Sequence, residues 1–91
     1  MQPLKNAIRQ MLKDSGLESG VKQHSAIWEW KNVVGPTIAK NSTPESVSHH
    51  VLRVKVISPA WRQELQFKKQ DIIKRLNRKL GKDTIKDIRF L

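Results

Sequence analysis

Lys74, Arg75, Arg78, Lys79 and Lys82 place five cations within nine residues, the densest chemistry the sequence offers. Cations at that density hold anionic oxygens, phosphates above all. Cations also favour helix C-termini, which accounts for one or two of the five. Residues 58–91 as a whole carry ten Lys and Arg against four acids, a net of +6. Lys68 and Lys69 extend the set along the same segment, and Arg53 and Lys55 extend it from an earlier one. Each phosphate neutralised adds about 0.9 to the salt slope on duplex DNA, so the binding expected here is salt-dependent and tolerant of sequence. Nothing in the chain reads bases. Zinc-finger ligands and ribonucleoprotein aromatics are missing, and Gly16 and Gly20 are spaced G-x-x-x-G, unlike the G-x-x-G loop of K-homology domains.

Other chemistries lack parts. The eight acids are scattered, and Glu29 and Glu64 read as solvated helix charges. There is no G-x-S-x-G and no nucleophile–base pair. His49 and His50 are adjacent, so in a strand they point to opposite faces and cannot chelate one ion; a turn or edge role fits them better. His24 is a lone, exposed helix residue. Gly81-Lys82-Asp83-Thr84 resembles the end of a phosphate loop, but the first glycine is missing, Asp83 separates Lys82 from Thr84, and the segment follows a helix rather than a strand. The absence of cysteine excludes disulfides and thiol catalysis. The sequence therefore predicts no catalytic residue, no metal, no cofactor and no small-molecule substrate.

Two aromatics stand apart. On a helical wheel Trp28 lies away from the Trp30 face, and Phe67 lies nearly opposite the Leu65/Ile72 stripe, near Lys74 and Arg78. Each either fills a second helix contact or is an exposed group that anchors a protein partner or stacks a base.

The positioning elements follow from periodicity. Leu4, Ile8, Met11 and Leu12 predict a helix over residues 3–13, ended by Ser15-Gly16, with Gly20 closing a linker. A second helix is expected over 21–34, with Ala26, Ile27, Trp30, Val33 and Val34 on one face and Gly35 as its stop. Pro36 suits the first turn of a short helix through Lys40, with Ile38 inward. Residues 41–44 read as a loop. A hairpin of 45–48 with 51–57 follows, turning at His49-His50, with Leu52, Val54 and Val56 packing and Arg53 and Lys55 on the other face. Ser58 as N-cap and Pro59 at the first position open the longest helix. Trp61, Leu65, Ile72, Ile73, Leu76 and Leu80 form its stripe, and Gly81 ends it. Residues 84–91 read as a last strand, with a bulge or late start because Ile85 and Ile88 differ in parity. That strand must pair with the hairpin, because a two-stranded ribbon is marginal alone. The expectation is an α+β fold of order α-α-(short α)-β-β-α-β, with a three-stranded sheet covered on one face by helices.

The whole chain has 91 residues, which suits one domain. Its 18 Lys and Arg against 8 Asp and Glu give a net charge of +10, a field that attracts DNA, RNA, acidic membranes or acidic proteins. No run approaches the roughly 20 apolar residues of a membrane span, and the N-terminus has no secretory apolar core. The expected location is the cytoplasm, at the nucleoid, with no membrane partner.

The ordered motifs resemble the DciA family of bacterial replicative-helicase operators, formerly catalogued as a domain of unknown function. They are Trp30-x-x-Val33-Val34-Gly35-Pro36-x-Ile38-Ala39, Ser42-x-Pro44, Val51-Leu52-x-Val54-x-Val56-x-Ser58-Pro59-Ala60-Trp61-x-x-Glu64-Leu65, Ile72-Ile73-x-x-Leu76-Asn77, Gly81, and Ile85-x-x-Ile88-Arg89-Phe90. Together they cover residues 27–90. The resemblance implies a K-homology-like fold without the usual glycine loop. It also implies binding of DNA and of the hexameric replicative helicase, and assistance to that helicase onto single-stranded DNA without ATP hydrolysis. Family members often carry a flexible extension thought to contribute to helicase or DNA contact. The sequence here stops at Leu91, so a minimal member or a domain lacking its tail is expected.

The resulting expectation is a non-enzymatic DNA-binding adaptor. Lys74, Arg75, Arg78, Lys79 and Lys82, extended by Lys68, Lys69, Arg53 and Lys55, hold phosphates, and Trp28 or Phe67 docks the protein partner. A small ribosome- or structured-RNA-binding factor has the same size, charge and fold class. A pure protein-interaction module, its charge serving solubility, is the third reading.

Overall fold

The computed structural model describes residues 17–91, with side chains from residue 20 onward. The helix expected over 3–13 and its Ser15-Gly16 end lie outside the described residues. Six elements follow: α1 (Leu17–Val34), α2 (Pro36–Asn41), β1 (Ser42–Ser48), β2 (Val51–Val56), α3 (Pro59–Leu80) and β3 (Asp87–Phe90). The fold is α+β, with a mixed three-stranded sheet of order β1-β2-β3. β1 runs antiparallel to β2, and β3 runs parallel to it. A parallel partner requires a crossover, which α3 supplies.

Alternation along β2 sets the layers. Leu52, Val54 and Val56 are buried, as are Ile88 and Phe90 of β3. They meet Ala26, Trp30 and Val33 of α1 and Leu65, Ile72, Ile73 and Leu76 of α3 in one core. Trp61, expected in the core, is only partly buried at its margin. Arg53, Lys55 and Arg89 emerge on the opposite, open face of the sheet.

Two expected boundaries are corrected, and the late start expected for the last strand is found. α1 begins at Leu17, so Gly20 lies inside a helix rather than closing a linker. Residues 42–44, expected in a loop, belong to β1, where Ser42 pairs with Val56 and Pro44 with Val54. β1 lacks apolar alternation, and a bulge between Pro44 and Ser46 interrupts what pattern it has. β3 starts at Asp87 rather than Thr84, because the backbone before it is otherwise occupied. Asn77 takes both polar groups of Ile85, accepting its N–H and donating to its carbonyl, each at 2.9 Å. The Lys86 N–H donates to the His50 carbonyl at 2.8 Å.

The local stops act as expected. Ser58 Oγ accepts the Trp61 N–H at 3.3 Å, with Pro59 at the start of α3. Gly35 (φ 87°) and Gly81 (φ 124°) adopt the positive-φ backbone that side chains disfavour, and there α1 and α3 end. The hairpin turn is made by His49 (φ 52°) and His50 (φ 65°), both left-handed as a two-residue type I′ turn requires. Contacts from outside the hairpin hold this costly geometry. The His50 N–H donates to Gln23 Oε1 at 2.7 Å, and His50 Nδ1 lies 3.0 Å from the Thr84 carbonyl.

Candidate nucleic-acid interface

At about 100° per residue, Lys74, Arg78, Arg75 and Lys79 spread across an arc of about 140° of α3, with Lys74 and Arg78 on one flank and Arg75 and Lys79 on the other. On the flank that also carries acids, Lys68 pairs with Glu64 at 3.7 Å and Arg75 with Asp71 at 3.0 Å, both one turn apart. Lys79 reaches across to Glu29 of α1 at 3.7 Å. Lys69 faces the sheet edge, where its ammonium donates to Asp87 Oδ1 at 3.1 Å. That hydrogen bond holds the Asp87 carboxyl below its ordinary value of 3.8. Partial burial opposes the shift, while the Ile88 N–H and the charges of Lys69 and Arg89 reinforce it. Four of the nine expected phosphate-binding residues thus carry an acid partner of their own.

Lys74 and Arg78 occupy another side of α3. With Lys82, Asn77 and Asp83 they line a shallow depression of about 360 Å³. Lys74, Arg78 and Lys82 are exposed, and among the described residues none of them is in an ion pair. Phe67, 78% exposed, shares their helix side about two turns before Lys74. Three exposed cations thus line one depression together with the acid Asp83, and the exposed Phe67 lies on the same side of the helix.

The Gly81–Thr84 segment forms a tight turn at its rim. Thr84 Oγ1 donates to the Gly81 carbonyl at 2.8 Å, so its hydroxyl is committed to the backbone. Asp83 sits at φ 58°, which aims the chain into that turn.

Arg53 and Lys55 lie elsewhere, on the open sheet face. Sequence reasoning missed their neighbour Arg89, which the parallel register sets directly opposite Arg53. Its signal was the alternation Asp87-Ile88-Arg89-Phe90, which places Arg89 outward once Ile88 and Phe90 are inward.

Of the two isolated aromatics, both are exposed rather than filling a second contact. Trp28 is 76% exposed and points away from the Trp30 side of α1. It lines a shallow depression with Gly20, Val21, His24 and Ser25. The structure does not bring Trp28 and Phe67 together on one element: they belong to α1 and α3. No group of three or more potential metal-ligating side chains occurs among the described residues. No described helix is long and apolar enough to cross a membrane.

The profile of a family described as "Dna[CI] antecedent, DciA" matches residues 3–90. Among similar proteins, a UPF0232 protein of Mycobacterium tuberculosis (strain ATCC 25618 / H37Rv) is 27% identical over 89 residues, covering 98% of this chain and 48% of its own. A UPF0232 protein of Streptomyces coelicolor is 29% identical over 90 residues, covering 97% and 47%. One from Mycobacterium marinum is 26% identical over 89 residues, covering 98% and 48%. The chain spans about half the length of these curated relatives. With the family profile running from residue 3 to residue 90, through every described element, the chain belongs to the DciA family.

Proposed function

We propose that residues 1–91 form one K-homology-like domain. It is a non-enzymatic DNA-binding adaptor that recruits a bacterial replicative helicase and helps it onto single-stranded DNA in the cytoplasm, without hydrolysing ATP. Family membership supports the helicase part of this reading. The observation that carries the DNA part is the placement of Lys74, Arg78 and Lys82 around one depression beside Phe67.

In this reading the three cations track successive phosphates while Phe67 offers its face to a base. That combination is the usual basis of sequence-tolerant single-strand binding. Lys68, Arg75 and Lys79 border the surface, and their paired acids lower the cost of leaving them there when no strand is bound. Trp28, with Val21 beside it, is the protein-docking spot on α1, since an exposed aromatic over a shallow apolar depression is the usual form of an interface anchor.

The test is a nuclease-treated pull-down from a lysate of the source bacterium, with the chain as bait, run beside fluorescence anisotropy on labelled oligothymidine. Recovery of the hexameric helicase and salt-sensitive oligothymidine binding are the expected results. Recovery of ribosomal proteins, with RNA preferred over single-stranded DNA at matched salt, replaces this reading with that of an RNA-binding factor.

A further inference from the structure

Arg53 and Arg89 stand directly opposite each other on adjacent strands of the open sheet face. Like charges in that position repel, and the arrangement weakens the sheet unless something anionic lies over it. Lys55 continues the charge along β2. Leu91 lies opposite Lys55, since its N–H donates to the Val54 carbonyl at 2.8 Å and its carbonyl accepts from the Val56 N–H at 3.0 Å. Ile57, 83% exposed and one residue past the end of β2, and Leu91, 50% exposed and one residue past the end of β3, add apolar surface at the far end of these rows. Ser46 and Thr43 of β1 complete the rows beside Arg53 and Lys55.

Asp87 shares the outward parity of Arg89, but Lys69 already pairs with that carboxylate, so Arg53, Lys55 and Arg89 leave this face with an excess of positive charge that suits an anionic occupant. Residues 1–16 carry Lys5, Arg9 and Lys13 against Asp14, and a second copy brings a net charge of +10. Sheets that read single strands by their bases stack them on aromatic rings. Among the described residues this face has none: Phe90 of β3 points inward, and the exposed groups are aliphatic. Along an extended strand, alternate side chains are about 7 Å apart, so Arg53 and Ile57 are separated by about 13 Å.

We propose that the open sheet face binds an acidic, aliphatic-containing peptide segment of a protein partner. Its carboxylates meet Arg53 and Arg89, and an apolar side chain about four residues further on meets Ile57 and Leu91. This surface is separate from the Lys74/Arg78/Lys82 depression, because the helices cover the other side of the sheet.

The test uses the full chain and three labelled probes: the octapeptide Glu-Glu-Ser-Glu-Ser-Leu-Ser-Ile, polyglutamate of equal length, and oligothymidine. The octapeptide is expected to bind more tightly than polyglutamate. R53E/R89E is expected to weaken octapeptide binding by about 10-fold or more, through replaced attraction and added repulsion, with little change for oligothymidine. The milder R53Q/R89Q, checked for native circular dichroism, keeps the result interpretable if charge reversal disturbs folding. I57S is expected to weaken the octapeptide but not polyglutamate. The proposal is overturned if the wild-type chain ignores the octapeptide. It is also overturned if R53E/R89E and R53Q/R89Q weaken oligothymidine as much as the octapeptide, which makes the face a nucleic-acid surface. A chain that binds the octapeptide but not oligothymidine retains this inference and loses the DNA reading.

Discussion

Trp30 and Ser42 are joined by a buried hydrogen bond: the indole Nε1–H donates to Ser42 Oγ at 2.9 Å, and Ser42 in turn donates to the Ile38 carbonyl at 2.7 Å. The relay links α1, α2 and the first residue of β1. It explains how a strand with little apolar pattern is fixed to the core.

Ser42→Ala therefore leaves the indole N–H buried without an acceptor. The cost of such a group is about 1–3 kcal/mol, and each kcal/mol lowers Tm by about 4–8 °C in a chain this small. A thermal melt reads it directly. In the W30F/S42A pair the losses should be less than additive, because either change alone breaks the same bond.

Gly20 gives the opposite sign. It lies within α1, is exposed, and a Cβ built there meets nothing within 4 Å. Gly20→Ala should stabilise by about 0.5–1 kcal/mol through helix propensity alone. A urea titration with an unchanged midpoint would indicate that this end of α1 is not helical in solution.

For nucleic acid, the placement of charges makes a graded forecast. Removing Lys74, Arg78 and Lys82 together should reduce the single-strand salt slope by about 2, at about 0.7 per phosphate contact. Removing the ion-paired Lys68 and Arg75 should change it less, because their acids already compensate them. Phe67→Ala should weaken binding by about 1–3 kcal/mol with the slope unaltered, the mark of lost stacking rather than lost charge.

Asp87 predicts an acid dependence. Its carboxyl is held below 3.8 chiefly by the hydrogen bond from Lys69. A depressed carboxylate contributes stability that is fully present above its unfolded value and is lost as pH falls through the folded one. Asp87→Asn should therefore lower the urea midpoint at neutral pH and flatten the acid limb below about pH 4. An acid limb of unchanged steepness would place the transition in other carboxylates.

Much of this was legible in the sequence, for identifiable reasons. Ser58-Pro59 and Gly81 bracket α3 because capping is local chemistry, and Leu52, Val54 and Val56 define β2 because alternation is a one-strand signal. β1 was half hidden, since its first residues are there to satisfy β2 and to reach Trp30, and neither requirement leaves an apolar pattern. The late start of β3 depends on Asn77 and His50, which are distant in sequence. At the candidate site, the pairings of Lys68 with Glu64 and Arg75 with Asp71 could be read from their four-residue spacing. Those of Lys79 with Glu29 and Lys69 with Asp87 exist only once the helices and sheet are assembled. The isolation of Phe67 from the apolar stripe was visible on a wheel. The meeting of Arg53 and Arg89 needed the register of a parallel pair.

That parallel pair also imposes a timetable on synthesis. β2 is the central strand, but its two neighbours arrive at very different times: β1 precedes it by a two-residue turn, whereas β3 follows after thirty residues. At about 5–20 residues per second, the ribosome leaves one side of β2 uncovered for about 2–6 s after the strand emerges. During that interval an open row of backbone groups flanks Leu52 and Val54, the arrangement most prone to pairing with other chains. Ribosome-bound chains in which β2 has left the exit tunnel while β3 is still inside it should accordingly be the ones that recruit chaperones, and emergence of Ile88 and Phe90 should release them.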